Sequence, residues 1–398
     1  MTAIAKLLNG FGAGDLFQIL RDGTPRTRSE LAQLTGFSRP TISLRLDELL
    51  SSGLISPVTS AASTGGRPSA RVALNPQARL VAAVDFGATH ATVALMDLAG
   101  NVLTDERAHR EIASGPQASL DWLAETITLL LKRIERTQTD LLAIGIGVPG
   151  PVEHSTGRPS SPPIMPGWDD YDVPGHLQRF FAVPVLVDND VNVMALGEQA
   201  TVWADVQNMV FIKVSTGIGA GIISAGVLQR GEDGSAGDIG HIAIARGAHI
   251  VCRCGNTGCL EAVAGAPAVL GNLRAEGADV SSTEQLITLA KMGDLGAMRA
   301  LRQAGRDIGE VLNMCVSIMN PALIVVGGAL AESNESLMAG IREVVYSRSM
   351  PLATQNLAIV AARAGSSVGA IGAGVMAIEY ALSPEQIDAA NAAGAVAV

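Results

Sequence analysis

The chain has 398 residues, 48% of them hydrophobic and only 3% aromatic, with 44 glycines and a formal net charge of −10. That length suits two or three domains with cores of their own, and no run of 18 uninterrupted apolar residues argues for a membrane span. The N-terminus shows no basic stretch followed by a long apolar run and cleavage site, so no signal peptide is expected; four cysteines, three within ten residues, predict a reducing cytoplasm rather than a disulfide framework.

Charge is unevenly placed. Residues 1–80 carry nine Lys/Arg against five Asp/Glu, whereas the remainder carries 19 against 33. A basic head on an acidic body predicts that only the head meets a polyanion.

The head contains three helical patterns. Leu16, Phe17, Ile19 and Leu20 form the first apolar group, ended by Asp22-Gly23. The second runs from Ser29 to Leu34, with Ser29 as the expected cap and Thr35-Gly36 as the stop. The third opens at Ser38 with Pro40 in its first turn, where a missing N–H costs nothing, and aims Ile42, Leu46, Leu49 and Leu50 inward. Two short helices joined by a glycine-containing turn predict a helix-turn-helix over residues 1–75. Arg39, Thr41, Ser43 and Arg45 form its polar face and are the expected major-groove contacts. Leu54-Ile-Ser-Pro and Arg71-Val-Ala-Leu read as strands of a wing, with glycine-flanked Arg67 at the tip, placed for a phosphate or minor-groove contact. The competing reading is a helical adaptor or dimerisation module.

The body, residues 80–398, opens with the apolar strand Val81-Ala-Ala-Val that runs into Asp85-Phe-Gly-Ala-Thr-His90, and a second strand follows over 91–100. A helix spans about 120–136. Leu142 to Pro151 is a strand entering a rigid loop, and Val183-Pro-Val-Leu-Val-Asp-Asn-Asp190 is a buried strand with polar groups at its carboxyl end, where open α/β sheets hold ligands. The layout then recurs: Met209 to Val214 is a strand, Gly217-x-Gly219-x-Gly221 a turn, Ile222 to Gly226 a partner strand, and Ala322 to Val326 a later strand ending in Gly327-Gly328. A hairpin followed by strand–helix alternation, appearing twice, predicts two similar lobes with a cleft between them: about 80–190 plus the C-terminal helix, and about 191–365.

Within the second lobe lies Cys252-Arg-Cys-Gly-Asn-Thr-Gly-Cys-Leu-Glu261, preceded by Gly237-Asp-Ile-Gly-His241. Three thiolates spaced C-x-C-x4-C, with His241 eleven residues upstream of Cys252, supply four ligands for a closed, structural zinc site made of His241, Cys252, Cys254 and Cys259. Glu261 is not needed for the metal, so the expected staple stands beside a ligand site.

These motifs, in this order and together with the Asn189-Asp190 strand end, resemble the ROK family of repressors, open reading frames and sugar kinases. The resemblance covers nearly the whole chain, since many ROK repressors carry a winged helix with a Gly-Gly-Arg-Pro wing, here Gly65 to Pro68. It implies a two-lobed α/β fold of the actin-like, sugar-kinase (ribonuclease H-like) group. It assigns sugar binding to Asn189, Asp190, Asp238, His241 and Glu261, with Asp190 at the position of the kinase base. Asp238 stands where the family usually has Glu. The spacing from His241 to Cys252 is one residue longer than the family's, which keeps His249 open as fourth ligand. Trp168, after Ser161-Pro-Pro-Ile, is read either as a sugar-stacking ring or as plain packing.

ROK kinases hold ATP phosphates with Asp-x-Gly-Gly-Thr-Lys. Here Asp85, Gly87 and Thr89 remain, but Ala88 replaces a glycine and His90 the lysine, so the fixed cation is lost. Thr216, Gly217, Gly219, Gly327 and Gly328 complete what the resemblance marks as a vestigial nucleotide site. It therefore implies a non-catalytic repressor of carbohydrate genes, with a sugar or sugar phosphate as effector, zinc as structural metal, a palindromic operator as DNA partner, and a homodimer or homotetramer as its assembly. An active glucokinase-like enzyme with an accessory DNA-binding head is the alternative.

Overall fold

The computed structural model describes residues 11–58, 70–332 and 335–394; Arg67 lies outside them. The head consists of α1 (Ala13–Leu20), β1 (Arg26–Thr27), α2 (Arg28–Thr35), α3 (Arg39–Ser51), β2 (Ile55–Val58) and β3 (Arg71–Leu74). Its three strands pair antiparallel in the order β1-β3-β2, with Ile55 opposite Leu74 and Val58 opposite Arg71. Ser38 caps α3 as expected, accepting from the Thr41 amide. The cap of α2 differs from expectation: it is Thr27, whose hydroxyl accepts from the Glu30 amide at 3.2 Å while the Glu30 carboxylate accepts from the Thr27 amide at 2.6 Å. This reciprocal pair satisfies two otherwise unpaired donors, and it starts the helix before Ser29. Gly36 ends α2 in the left-handed region at φ 74°.

Lobe one is a five-stranded sheet of β4 (Leu80–Phe86), β5 (His90–Asp97), β6 (Val102–His109), β7 (Leu141–Val148) and, beyond the short hairpin of β8 (Val152–Glu153) and β9 (Arg158–Pro159), β10 (Val185–Asn189), in the order β10-β7-β4-β5-β6. Lobe two repeats it with β11 (Met209–Val214), β12 (Ile218–Ser224), β13 (Val227–Gln229), β14 (Leu323–Gly327) and β15 (Ala358–Ala361), in the order β13-β12-β11-β14-β15. In both sheets three strands meander antiparallel and two more add in parallel, each parallel addition needing a crossover.

In chain order the body's helices are α4 (Pro116–Arg133) and α5 (Val173–Gln178) in lobe one, and α6 (Asp190–Val202) between the sheets. Next come α7 (Leu260–Ala264), α8 (Ala266–Ala275), α9 (Thr283–Lys291), α10 (Leu295–Met319), α11 (Glu335–Arg348) and α12 (Pro351–Thr354) on lobe two. Last are α13 (Val368–Ala381), which returns to lobe one, and α14 (Pro384–Ala392). Strand β4 shows why the sheet is covered on both faces: Leu80, Ala82, Val84 and Phe86 pack with Leu120, Leu123 and Ile127 of α4, while Val81 and Ala83 point the other way toward Ala373 and Ala377 of α13. That second cluster continues without a break into Leu16, Phe17 and Leu46 of the head, so the winged helix shares a core with lobe one.

The second glycine turn is shorter than the sequence suggests. Only Ser215–Gly217 turn; β12 begins at Ile218 and takes in Gly219 and Gly221. A Cβ on Gly221 would sit 2.5 Å from the Ala195 Cβ and 2.8 Å from the Val191 carbonyl oxygen. These glycines therefore let α6 lie close on the strand. Among the described residues no helix is long and apolar enough to cross a membrane.

Candidate metal centre and interlobe cleft

Residues 242–260 form an irregular loop closed by local backbone bonds. Ile244 donates to Gly258 at 2.9 Å, Cys252 to Asn256 at 2.8 Å, Gly255 to Cys252 at 3.0 Å, and Leu260 to Ile242 at 2.9 Å. Gly255 and Gly258 hold φ of 90° and 83°, which explains the glycines between the cysteines. The loop gathers one ligand atom each from His241, Cys252, Cys254 and Cys259 within 4.8 Å of one another. Cys254 Sγ lies 3.7 Å from Cys259 Sγ, and Cys252 Sγ 3.6 Å from His241 Nδ1. A tetrahedron with metal–sulfur bonds of ~2.3 Å has edges of about 3.8 Å, whereas a disulfide needs about 2.05 Å. The donor set thus fits a metal, and His249 is exposed and stands outside the cluster. Burial pushes the Cys259 thiol up to about 12, and a hydrogen bond from the Asn256 backbone draws Cys254 down to about 7. With Nδ1 facing the thiols, the Nε2 of His241 is turned to Asp238, 3.9 Å from its Oδ1.

Strand β12 ties this centre to the cleft. Ala220 donates to the Gly237 carbonyl at 2.8 Å, and the Ile218 amide donates to Oε2 of Glu261 at 3.2 Å. Glu261 stands in the first turn of α7, two residues beyond Cys259. A Cβ on Gly217 would come 2.8 Å from its carboxylate. On the other side of β12, the first turn of α6 packs against Gly219 and Gly221. Asn189 caps that helix: Oδ1 accepts from Val191 N at 2.9 Å, and Nδ2 donates to the Gly150 carbonyl at 2.8 Å.

Asp190 is buried and receives the Lys213 ammonium at 2.5 Å. Burial alone would lower the pKa of Lys213; the Asp190 carboxylate, its hydrogen bond and Asp85 outweigh this and hold the ammonium charged. Asp85 is pushed up to about 6 by burial and then by the Asp190 charge, against the pull of Lys213 and Arg107. A second ion pair joins the lobes: Nε of Arg230, just past β13, donates to Oδ2 of Asp188 in β10 at 2.6 Å. Asn192 and the Asn189 amide donate to the other oxygen of Asp188, each at 2.7 Å. Neither Lys213 nor Arg230 stands in a motif that sequence reading isolates; a lysine inside an apolar strand, Phe211-Ile-Lys-Val214, was the available signal.

The ROK family model matches residues 81–380, three quarters of the chain. The chain belongs to the ROK family. It is 30% identical to a xylose repressor of Bacillus spizizenii over 368 residues, 92% of this chain and 94% of that one. A crystal structure described as a ROK family transcriptional regulator, homolog of the E. coli MLC protein, superimposes with a TM-score of 0.82 at 26% identity, covering 94% of this chain and 96% of the other. The ROK hexokinase of Thermus thermophilus superimposes with a TM-score of 0.64 at 28% identity, covering 75% of this chain and 97% of its own.

Other ROK motif positions divide in two. Gly327 ends β14 and Gly328 follows it, where a Cβ on Gly328, at φ 88°, would press on the Val214 backbone. At the first hairpin the His90 ring lies directly over Gly87, in space that a Cβ there would share. Burial, then the charges of Arg107 and Lys213, lower the pKa of this histidine. Trp168 is fully buried, donates from Nε1 to the Ile112 carbonyl at 3.1 Å and meets Phe86 edge to face; it packs lobe one and offers no ring face to a ligand.

On α3 of the head, Arg39 and Leu44 are exposed, Leu44 by 57%, while Thr41 and Ser43 are half-buried. Arg45 is tied down by a hydrogen bond from Nε to the Phe11 carbonyl at 3.1 Å and an ion pair with Glu48 at 3.0 Å.

Proposed function

We propose that this ROK protein is a cytoplasmic, DNA-binding transcriptional repressor of carbohydrate-utilisation genes. A sugar held by Asn189, Asp190, Asp238, His241 and Glu261 modulates operator affinity, and a structural zinc on His241, Cys252, Cys254 and Cys259 supports that site. The observation that carries the reading is the fusion of a winged helix to a sugar-kinase-like cleft in which the Lys213 ammonium already holds the Asp190 carboxylate at 2.5 Å. General-base work needs a carboxylate within hydrogen-bond reach of the sugar hydroxyl, and here a lysine occupies that carboxylate. His90 over Gly87 replaces both the lysine and the open glycine turn that phosphates would use. The xylose repressor match over 92% of the chain supports the same reading, and it makes D-xylose the first effector to try. A homodimer or homotetramer would present paired heads to a palindromic operator.

The test combines binding and turnover. D-Xylose should raise the melting temperature and change the affinity for DNA selected by the protein from a random library. A coupled ATPase assay with D-xylose, D-glucose and N-acetylglucosamine should stay at background, and robust turnover with any of them would replace the repressor reading with the kinase one. Within the head, Arg39→Ala should weaken binding to the selected DNA roughly 10–100-fold, the range for one good base or phosphate contact, with an unchanged melting temperature. Arg45→Ala should weaken it far less, because that guanidinium is already held by Phe11 and Glu48. Equal losses from both variants, read by fluorescence anisotropy, would reverse that assignment.

A further inference from the structure

The C-terminal helices join the cleft to the head through an unbroken series of close contacts. Helix α6 begins at Asp190 and lies against α13 with almost no side chain between them: a Cβ on Gly197 would overlap the Val368 carbonyl, and one on Gly372 the Val193 carbonyl. On its other side α13 meets β7, where a Cβ on Gly145 would overlap the Ala373 carbonyl. Its first turn faces the cleft directly, since Gly369 leaves no room for a Cβ beside the Asp85 carboxylate. Backbones packed this closely cannot slide without repacking. At the far end, Arg21, the C-cap of α1, forms two hydrogen bonds with the Glu379 carboxylate. Gln18 donates to the Leu382 carbonyl at 2.7 Å. Asp388 of α14 accepts from the Gly14 amide at 2.8 Å, and Gly14 sits directly on the Pro384 backbone. Thus α1, the first helix among the described residues of the winged head, is held by residues 379–388 as well as by its own domain.

We infer that α13 and α14 act as a rigid lever that carries displacement of α6, at the Asp190 end of the cleft, to helix α1 of the DNA-binding head. This rests on reading the cleft as sensor and the head as output, but it requires neither a particular sugar nor a particular operator. The lever predicts a direct mechanical response in the free full-length protein. Two variants disturb its cleft end: Gly369→Ala inserts a methyl group against Asp85 and displaces the start of α13, and the near-isosteric Asp190→Asn removes the ion pair with Lys213. Hydrogen–deuterium exchange read by mass spectrometry should then show several-fold faster exchange in peptides covering 13–20 and 376–392, in addition to the cleft. Gly271→Ala, whose Cβ would meet nothing within 4 Å, is the control and should leave residues 13–20 unchanged. In a Gln18→Ala/Arg21→Ala/Asp388→Ala background, which removes all three side-chain links, the response should persist in 376–392 and weaken several-fold at 13–20. Exchange at 13–20 that stays at the wild-type rate while cleft peptides respond would overturn the lever, as would a response at 13–20 that the triple replacement leaves undiminished. If Gly369→Ala fails to fold, Asp190→Asn decides. No sugar or DNA is present, so a wrong effector or a failed DNA assay leaves the result standing.

Discussion

With zinc and sugar bound as proposed, replacing Cys254 by serine should abolish metal binding, lower the melting temperature by roughly 5–10 °C and abolish the thermal shift expected from sugar. The reason lies in how little else orders the loop. Between residues 242 and 258 only Ile244, Gly247, Cys252 and Gly258 are buried, and the loop's hydrogen bonds are mostly to itself. One anchor reaches outside it: Arg246 pairs with buried Asp307 on α10, Nε to Oδ1 at 2.8 Å. A hydroxyl is a poor replacement for a thiolate on a borderline metal. Loss of the metal frees the His241 ring, whose Nε2 is turned to Asp238, and loosens the start of α7, which carries Glu261 against the Ile218 amide. Metal content by mass spectrometry, a thermal melt and a melt with sugar give three readings on one sample. A zinc-free variant that still binds sugar would separate the metal from the cleft; restoration of metal and sugar response in wild-type protein that has been stripped with chelator and reloaded should link them.

The parts legible in the sequence are those with a local cause. The metal cluster, the Ser38 cap, the wing strands and the twofold recurrence of hairpin and parallel strands each follow from spacing or periodicity within a few residues. What was not legible depends on residues far apart in the chain. Nothing local pairs Lys213 with Asp190 or Arg230 with Asp188, because strands of different lobes must first come together. Strand β6 reads Val-Leu-Thr-Asp-Glu-Arg-Ala-His, an exposed edge with little apolar alternation. Gly219 and Gly221 look like turn residues until α6 is seen lying on them. The polar face predicted for α3 likewise changes once Phe11 claims Arg45 and leaves Leu44 outward. Trp168, equally able to stack or pack by sequence, is settled by burial against Phe86.

Asp85→Asn should make the protein more stable at pH 7.5, by up to about 3 kcal/mol, and that gain should shrink steadily toward pH 5. The carboxyl titrates at about 6 in the fold against 3.8 for the unperturbed group. Above pH 6 it is ionised in both states, and the folded protein bears the full cost of a buried anion beside Asp190, only partly offset by Lys213 and Arg107. As pH falls from 6 toward 3.8 the folded protein takes up the proton first, so the cost is relieved. His90 and His154 act in the opposite sense: both are lowered, first by burial, so the unfolded chain protonates them earlier and stability falls as pH drops through 6.5. The wild-type profile therefore mixes opposing contributions, and the difference between wild type and Asp85→Asn isolates one of them. Urea unfolding midpoints at pH 7.5, 6.5 and 5.5 measure it; a variant no more stable at pH 7.5, or a gain that does not shrink, would mean that Asp85 carries no buried charge. The position gives that charge its interest. Its carboxylate rests against Gly369, where α13 begins, so an anion that the fold tolerates at a cost stands at the joint between cleft and lever. Any ligand that changes the charge balance of Asp85, Asp190 and Lys213 acts where α13 begins, and can shift the lever by as much as its differential affinity for the two arrangements.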